Sequence, residues 1–363
     1  MKYTTHRLTS EQKEYLMTAH KDLIYMIFCC GGFMLRRQIK NLFHLLTDEE
    51  EISIEFSICD LITSGFLLQK TINKDTRTQM LYLSKYPRSQ FLDVECSGDV
   101  PAINWSTTKI FEQIFKIEYL TTKIVPDMRE QNFKMSMDNI ISYLDWKGCN
   151  LFQTSNQVDV INFYNNLWNA FLEQGYTPTD DFLRDVEIAT YDRDAFEINQ
   201  LKKDKELPPC LAKIQREREK AIYNSEIDKN KNFYNLKNFA SHGFYIEEIQ
   251  GKHINICYFD SMNNIQTKQL WTQLSYILLM FQRYLNNFNI DLHCTVYAWN
   301  EDRTKHLRAE EEKTAFDFYR REWADENKKY KAMQDVGLPR QHWDSIKVLY
   351  RSEELYPKYN VHL

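Results

Sequence analysis

The chain reads as mostly α with α+β parts, and three observations carry that reading. Apolar residues recur at helical spacing in long segments that stop at glycine. Only two regions, near 66–86 and 243–300, carry β-branched or alternating runs. Gly (9) and Pro (8) are scarce, whereas Phe (22), Tyr (22) and Trp (7) are abundant. Many rings and few glycines suit helices with bulky packing faces better than a glycine-rich nucleotide-binding architecture. At 363 residues the chain can bury two or three cores. Composition and punctuation divide it into 1–92, a helical region 93–205, a basic linker or helix 206–238, and an α/β unit with a long charged helix over 239–363.

The elements follow in order. Thr9 and Gln12 stand at capping-box spacing, and Leu16, Leu23, Ile24, Ile27 and Phe28 repeat at three and four, which predicts a helix over 9–30 ended by Gly31-Gly32. "FMLRRQIKNLF" (33–43) predicts a second helix with Leu35, Ile39 and Leu42 inward and Arg36, Arg37 and Lys40 outward. Thr47 or Asp48 caps a third helix, in which Ile52, Ile54, Phe56, Ile58, Leu61 and Ile62 give a broad apolar face up to Gly65. "FLLQKTI" and "MLYLSKY" then read as strands across the turn "NKDTRTQ".

Three helices followed by a two-stranded hairpin resemble a winged helix-turn-helix. The segments "RRQIKNLF", "DLITSGFLLQK" and "LYLS" carry the resemblance, and they are similar, more loosely, to replication-relaxation proteins of plasmids and other mobile elements. The resemblance covers about the first 90 residues. It implies a nucleic-acid-binding protein acting in regulation, replication or transfer of a mobile element. Winged helices also serve as protein-interaction modules, so an assembly protein, including one that binds its own copies, is the alternative.

Charge bears on that choice. The formal net charge is −5, so nucleic-acid contact needs a local patch. The third helix, which would enter the major groove, begins with Asp48, Glu49, Glu50 and Glu51 and continues to Glu55. Such a helix repels phosphates and suits a protein partner. The cations lie elsewhere: Arg36, Arg37 and Lys40 on the second helix, and Lys70, Lys74, Arg77, Lys85 and Arg88 on or beside the wing. Those eight are the candidate nucleic-acid contacts. Residues 202–238 carry 10 Lys or Arg against 6 Asp or Glu, with Tyr223, Phe233 and Tyr234 interleaved. Such a run tracks a single strand or, more commonly, is a solvated helix and loop.

Further along, "STTKIFEQIFKIEYLTTKIV", "SMDNIISYLDW" and "TSNQVDVINFYNNLWNAFLEQG" read as capped helices of a bundle, with stops at Gly148 and Gly175. "DDFLRDV" and "DAFEINQLKK" read as helical too. From 243, "GFYIEEI", "GKHINICYFD" and "DLHCTVYAWN" read as strands, with a helix of about seven turns before the last. That order predicts a hairpin, then a βαβ crossover with its two strands parallel. A long charged helix with Phe316, Tyr319 and Trp323 on one side runs to Gly337.

Strand-end carboxylates Asp260, Glu301 and Asp302, with Glu247 and Glu248 nearby, are placed as a divalent-metal nuclease would need, though polar strand ends are commonplace. His253 with Cys257, and His293 with Cys294, are read as core and surface positions rather than ligands. There is no phosphate loop, G-x-G-x-x-G, nucleophile elbow or H-E-x-x-H, so no catalytic residue, metal or cofactor is assigned. Eight cysteines without a C-x-x-C pair read most simply as small core residues. The polar first 25 residues, and an apolar run (23–35) too short to span a bilayer, lead to the expectation of a cytoplasmic protein without a membrane partner.

Overall fold

The computed structural model describes residues 8–73, 78–92, 94, 98–152, 157–186, 234–318 and 328–359. Mostly helical segments surround two small sheets. The expected first helix is two, α1 (Ser10–Ala19) and α2 (Lys21–Cys29), parted at the polar triplet His20-Lys21-Asp22. The capping box is present, with Thr9 accepting from the Gln12 amide and the Gln12 side chain accepting from the Thr9 amide. Only α2 buries side chains. Gly31 and Gly32, both in the left-handed region, turn the chain straight from α2 into a strand that the helical reading of 33–43 missed.

That strand, β1 (Phe33–Leu35), pairs with β3 (Thr78–Leu83), which also pairs with β2 (Leu67–Asn73), giving the antiparallel order β1-β3-β2. A short apolar triplet before a helix has no period of its own, so cross-strand pairing decides its conformation. α3 (Arg36–Thr47) follows β1, and α4 (Glu51–Thr63) leads into β2. Asp48, in the left-handed region, ends α3, and Glu50 rather than Thr47 or Asp48 precedes α4. Ile54, Ile58 and Leu61 of α4 are buried, but Ile52 and Phe56 are 68% and 69% exposed, so its apolar face is narrower than expected.

After the short α5 (Lys85–Ser89), α6 (Thr107–Tyr119) starts at a Ser106 cap and passes through a π-helical turn, Leu120–Ile124, into α7 (Val125–Glu130). α8 (Met137–Trp146) and α9 (Gln157–Glu173) follow, then α10 over 180–186. The Pro pair, Tyr223 and Phe233 of the basic segment, and "DAFEINQLKK", lie outside the described residues. Tyr234, at its end, is buried and stacks on Tyr276.

The short α11 (Leu236–Ser241) leads to the hairpin β4 (Phe244–Gln250) and β5 (His253–Phe259). β5, α12 (Thr267–Leu285) and β6 (Asp291–Ala298) form the expected crossover, with β5 and β6 parallel. α13 (Glu301–Phe318) and α14 (Lys328–Val336) are the described parts of the charged C-terminal stretch, while Tyr319 and Trp323 lie outside them. β7 (Ile346–Ser352), for which the sequence reading marked no strand, is a fourth strand parallel to β6, and α15 (Leu355–Tyr359) follows it.

The second sheet, in the order β4-β5-β6-β7, divides two cores. One face presents Tyr245, Cys257, Phe259 and Tyr297 to the core of α2–α8, where Phe115 packs on Phe259 and Trp299. The other presents Ile246, Ile256, Cys294 and Val296 to α9, α12 and α14. The first core therefore runs from the N-terminal elements across the position 92/93 into the C-terminal sheet.

Asp185 of α10 docks this second core in an unusual way. It is buried, accepts the Tyr284 hydroxyl on Oδ2, and leaves Oδ1 without a hydrogen bond. Burial pushes its carboxyl up to about 7, against the opposing pull of Tyr284 and Arg283. The folded chain thus holds a proton that the unfolded chain releases near pH 4, so this contribution to stability is full below about pH 4 and lost as pH rises to about 7. Asp185→Asn should therefore stabilise the protein by a few kcal/mol at about pH 8 and by little at about pH 4, read from urea unfolding at both values. Equal shifts at the two pH values would refute it.

Candidate interaction face and interdomain cleft

Six of the eight candidate cations fall on described residues, and each has an intramolecular contact. Arg36 pairs with Glu55 and donates to Cys59 Sγ at 3.3 Å. Lys40 lies 3.6 Å from Glu55 and 4.0 Å from Glu51. Arg37 donates to the Lys358 carbonyl of α15 at 2.7 Å. Lys70 covers the Trp105 ring at 4.1 Å, and Lys85 donates to the Gly98 carbonyl at 3.2 Å. Arg88 is half-buried beside Gly32, and burial holds its guanidinium below the usual value. Lys74 and Arg77 lie outside the described residues.

The cause lies in α4. Glu55, half-buried on the α3 side of α4, takes up Arg36 and Lys40, while Glu51, one turn earlier, stays exposed at 4.0 Å from Lys40. The Arg36 hydrogen bond, opposed by partial burial, holds the Glu55 carboxyl below its ordinary value. Arg129 of α7 donates to the Leu45 carbonyl and reaches Asp48. What remains outward is an exposed strip, Asp48 to Ser53 together with Phe56, Cys59 and Asp60. It is acidic, with two apolar side chains, Ile52 and Phe56, one turn apart. Sequence reading located the acids but placed both apolar residues in the core, because a helix stripe wider than its contact cannot be seen without the contact.

Strand-end carboxylates do not converge as a metal site requires. Asp260, fully buried, accepts the Asn264 and Ile265 amides on Oδ1 and Arg303 Nε at 2.8 Å on Oδ2. Glu301 and Asp302 are exposed at the start of α13. His253 and His293 lie with ring centroids 5.4 Å apart, but Cys257 and Cys294 are buried on opposite faces of the sheet. Among the described residues no group of three or more His, Cys, Asp or Glu side chains is placed to hold a metal ion. Among the described cysteines, burial pushes the Cys257 and Cys294 thiols up and the Cys149 thiol to about 12, which suits inert core residues.

A second region surrounds one of those carboxylates, Glu301. At the carboxyl ends of β6 and β7 a polar cleft of about 620 Å³ opens between the N-terminal helices and the sheet. The π-helical turn supplies Thr122 and Lys123, α7 supplies Asp127, β6 supplies Tyr297, α13 supplies Glu301 and Arg308, and β7 and its end supply Arg351, Ser352 and Glu353. Two of these, Lys123 and Tyr297, are tied to buried Glu247, whose Oε1 accepts from Tyr119 OH and Lys123 Nζ at 2.9 Å and from Tyr297 OH at 3.2 Å. Glu247 is the extra residue of a β-bulge in β4. Behind the cleft, buried Glu118 accepts from Lys358 and from Tyr359 OH.

Comparison of the chain with protein-family models, with curated proteins and with solved structures finds no match. Among the described residues no helix is long and apolar enough to cross a membrane.

Proposed function

We propose that the protein is an interaction protein whose N-terminal module binds a partner protein through α4. The order helix, strand, helix, helix and hairpin, with strands in the order β1-β3-β2, is that of a winged helix, and this supports reading the module as one. The carrying observation is the use of α3's cations. Arg36 and Lys40 are taken up by Glu55 inside the module, so the surface left to a partner is acidic and carries Ile52 and Phe56. Phosphates are repelled by such a strip. A basic segment with apolar anchors complements it, its cations meeting Glu49, Glu50 and Asp60 and its apolar groups covering the two exposed side chains.

The test pairs two titrations of the full chain. A fluorescent amphipathic peptide of lysine and leucine should bind, and Phe56→Asp should weaken binding about tenfold or more, because it replaces an apolar anchor with a repelled-from-burial charge. Generic duplex and single-stranded DNA should show no binding that falls steeply with salt. Salt-dependent DNA binding that survives Phe56→Asp would instead favour the mobile-element DNA-binding reading, carried by the wing.

A further inference from the structure

We propose that the cleft at the carboxyl ends of β6 and β7 binds a small oxyanion, a phosphate- or carboxylate-bearing molecule, gripped by Arg308, Arg351 and Lys123. This goes beyond the interaction reading and does not rest on it.

Several uncommon features converge here. The π-helical turn Leu120–Ile124 interrupts an otherwise continuous α6–α7 helix and brings Lys123 to the cleft. Such turns are rare and concentrate at functional sites. Glu247, the unpaired residue of the β4 bulge, bonds Lys123 and Tyr297 of the lining. Glu354, the residue after the cleft's Glu353, holds a left-handed backbone with φ of 47°. A non-glycine residue keeps that conformation only where its surroundings demand it. All of this surrounds the carboxyl ends of two parallel strands, where open α/β sheets bind ligands.

The cleft's size falls in the range of small-molecule sites. Its donors come from three separate elements, which suits a ligand with several acceptor oxygens. Arg308 uses one amino group on the Tyr350 carbonyl, leaving the rest of its fork available. Lys123 keeps two of its three protons beyond the bond to Glu247.

The acids set the condition for binding. Glu247 is balanced by Lys123 and two phenols. Asp127 also lies within the field of Lys147, and Glu301 sits exposed at the N-terminus of α13, where its charge is offset and screened. Glu353 remains. Burial, then the nearby Glu118 of α6, pushes its carboxyl up to about 7, against the pull of Lys358 from α15 and Arg351 from β7. Tyr297 from β6 adds a phenol to the same surroundings. Below about pH 7 Glu353 is therefore a neutral O–H donor, and above it a carboxylate that repels the ligand.

The experiment uses sulfate and malonate as tetrahedral and planar probes, titrated into the full chain by calorimetry at constant ionic strength. The expected result is binding on the order of millimolar at about pH 6.5, weakened several-fold at about pH 8. Arg351→Gln should abolish it while leaving the melting temperature near that of the parent, since Arg351 is exposed. Glu353→Gln should bind equally at both pH values. A stronger response to sulfate than to malonate assigns the phosphate class, and the reverse assigns the carboxylate class. No heat with either probe at about pH 6.5, binding unchanged by Arg351→Gln, or an undiminished pH dependence in Glu353→Gln would each overturn the proposal.

Discussion

Asp260→Ala is expected to cost about 3–5 kcal/mol of stability, the range for breaking a buried ion pair by removing one partner. Asp260 is fully buried, and three groups depend on it: the Asn264 and Ile265 amides and Arg303 Nε. Arg303 has little exposed side chain and also donates to the Ile265 carbonyl, so it is held in place when its counter-ion goes. Asp260→Asn should cost less, because an amide oxygen still accepts from backbone while the charge on Arg303 stays unmatched. Urea unfolding of both variants measures this. A loss under about 1 kcal/mol for Asp260→Ala would show that the pair contributes little and would return Asp260 to the pool of free strand-end carboxylates.

Glu247→Ala should also be strongly destabilising, by about 2–4 kcal/mol, since it strips one acceptor from Tyr119, Lys123 and Tyr297 together. The lower bound is set by Lys123, whose side chain is one-third exposed and recovers water in the variant. Both phenols are buried and have no such recourse. Glu247→Gln keeps an oxygen acceptor and should cost about half as much. The double-mutant cycle with Tyr119→Phe separates the parts: removing both partners should cost markedly less than the sum of the single losses. Strict additivity would mean that the three donors do not share this carboxylate in solution.

Much of the architecture was legible because it depends on local periodicity. The Thr9 capping box, the glycine stops at 65, 148 and 175, and the hairpin followed by a crossover over 243–300 all appear where spacing placed them. The misses share one cause. β1 is three residues long, β7 ends a charged stretch, and both owe their conformation to a strand distant in sequence: Phe33 to Tyr82, and Leu292 to Ile346. Short strands have too few residues to show a period, so only pairing defines them.

The functional surfaces separate along the same line. Sequence alone determined that the third helix is acidic at its start and that eight cations flank it along the chain, because charge and order along the chain need no contacts. Tertiary structure alone decided what those charges do. It set Glu55 against Arg36 and Lys40, left Ile52 and Phe56 in water, and tied Arg37 to Lys358. It also assembled the cleft from residues as distant as Lys123 and Glu353. Electrostatic interactions act through distances of a few ångströms, and separation along a chain does not encode those distances.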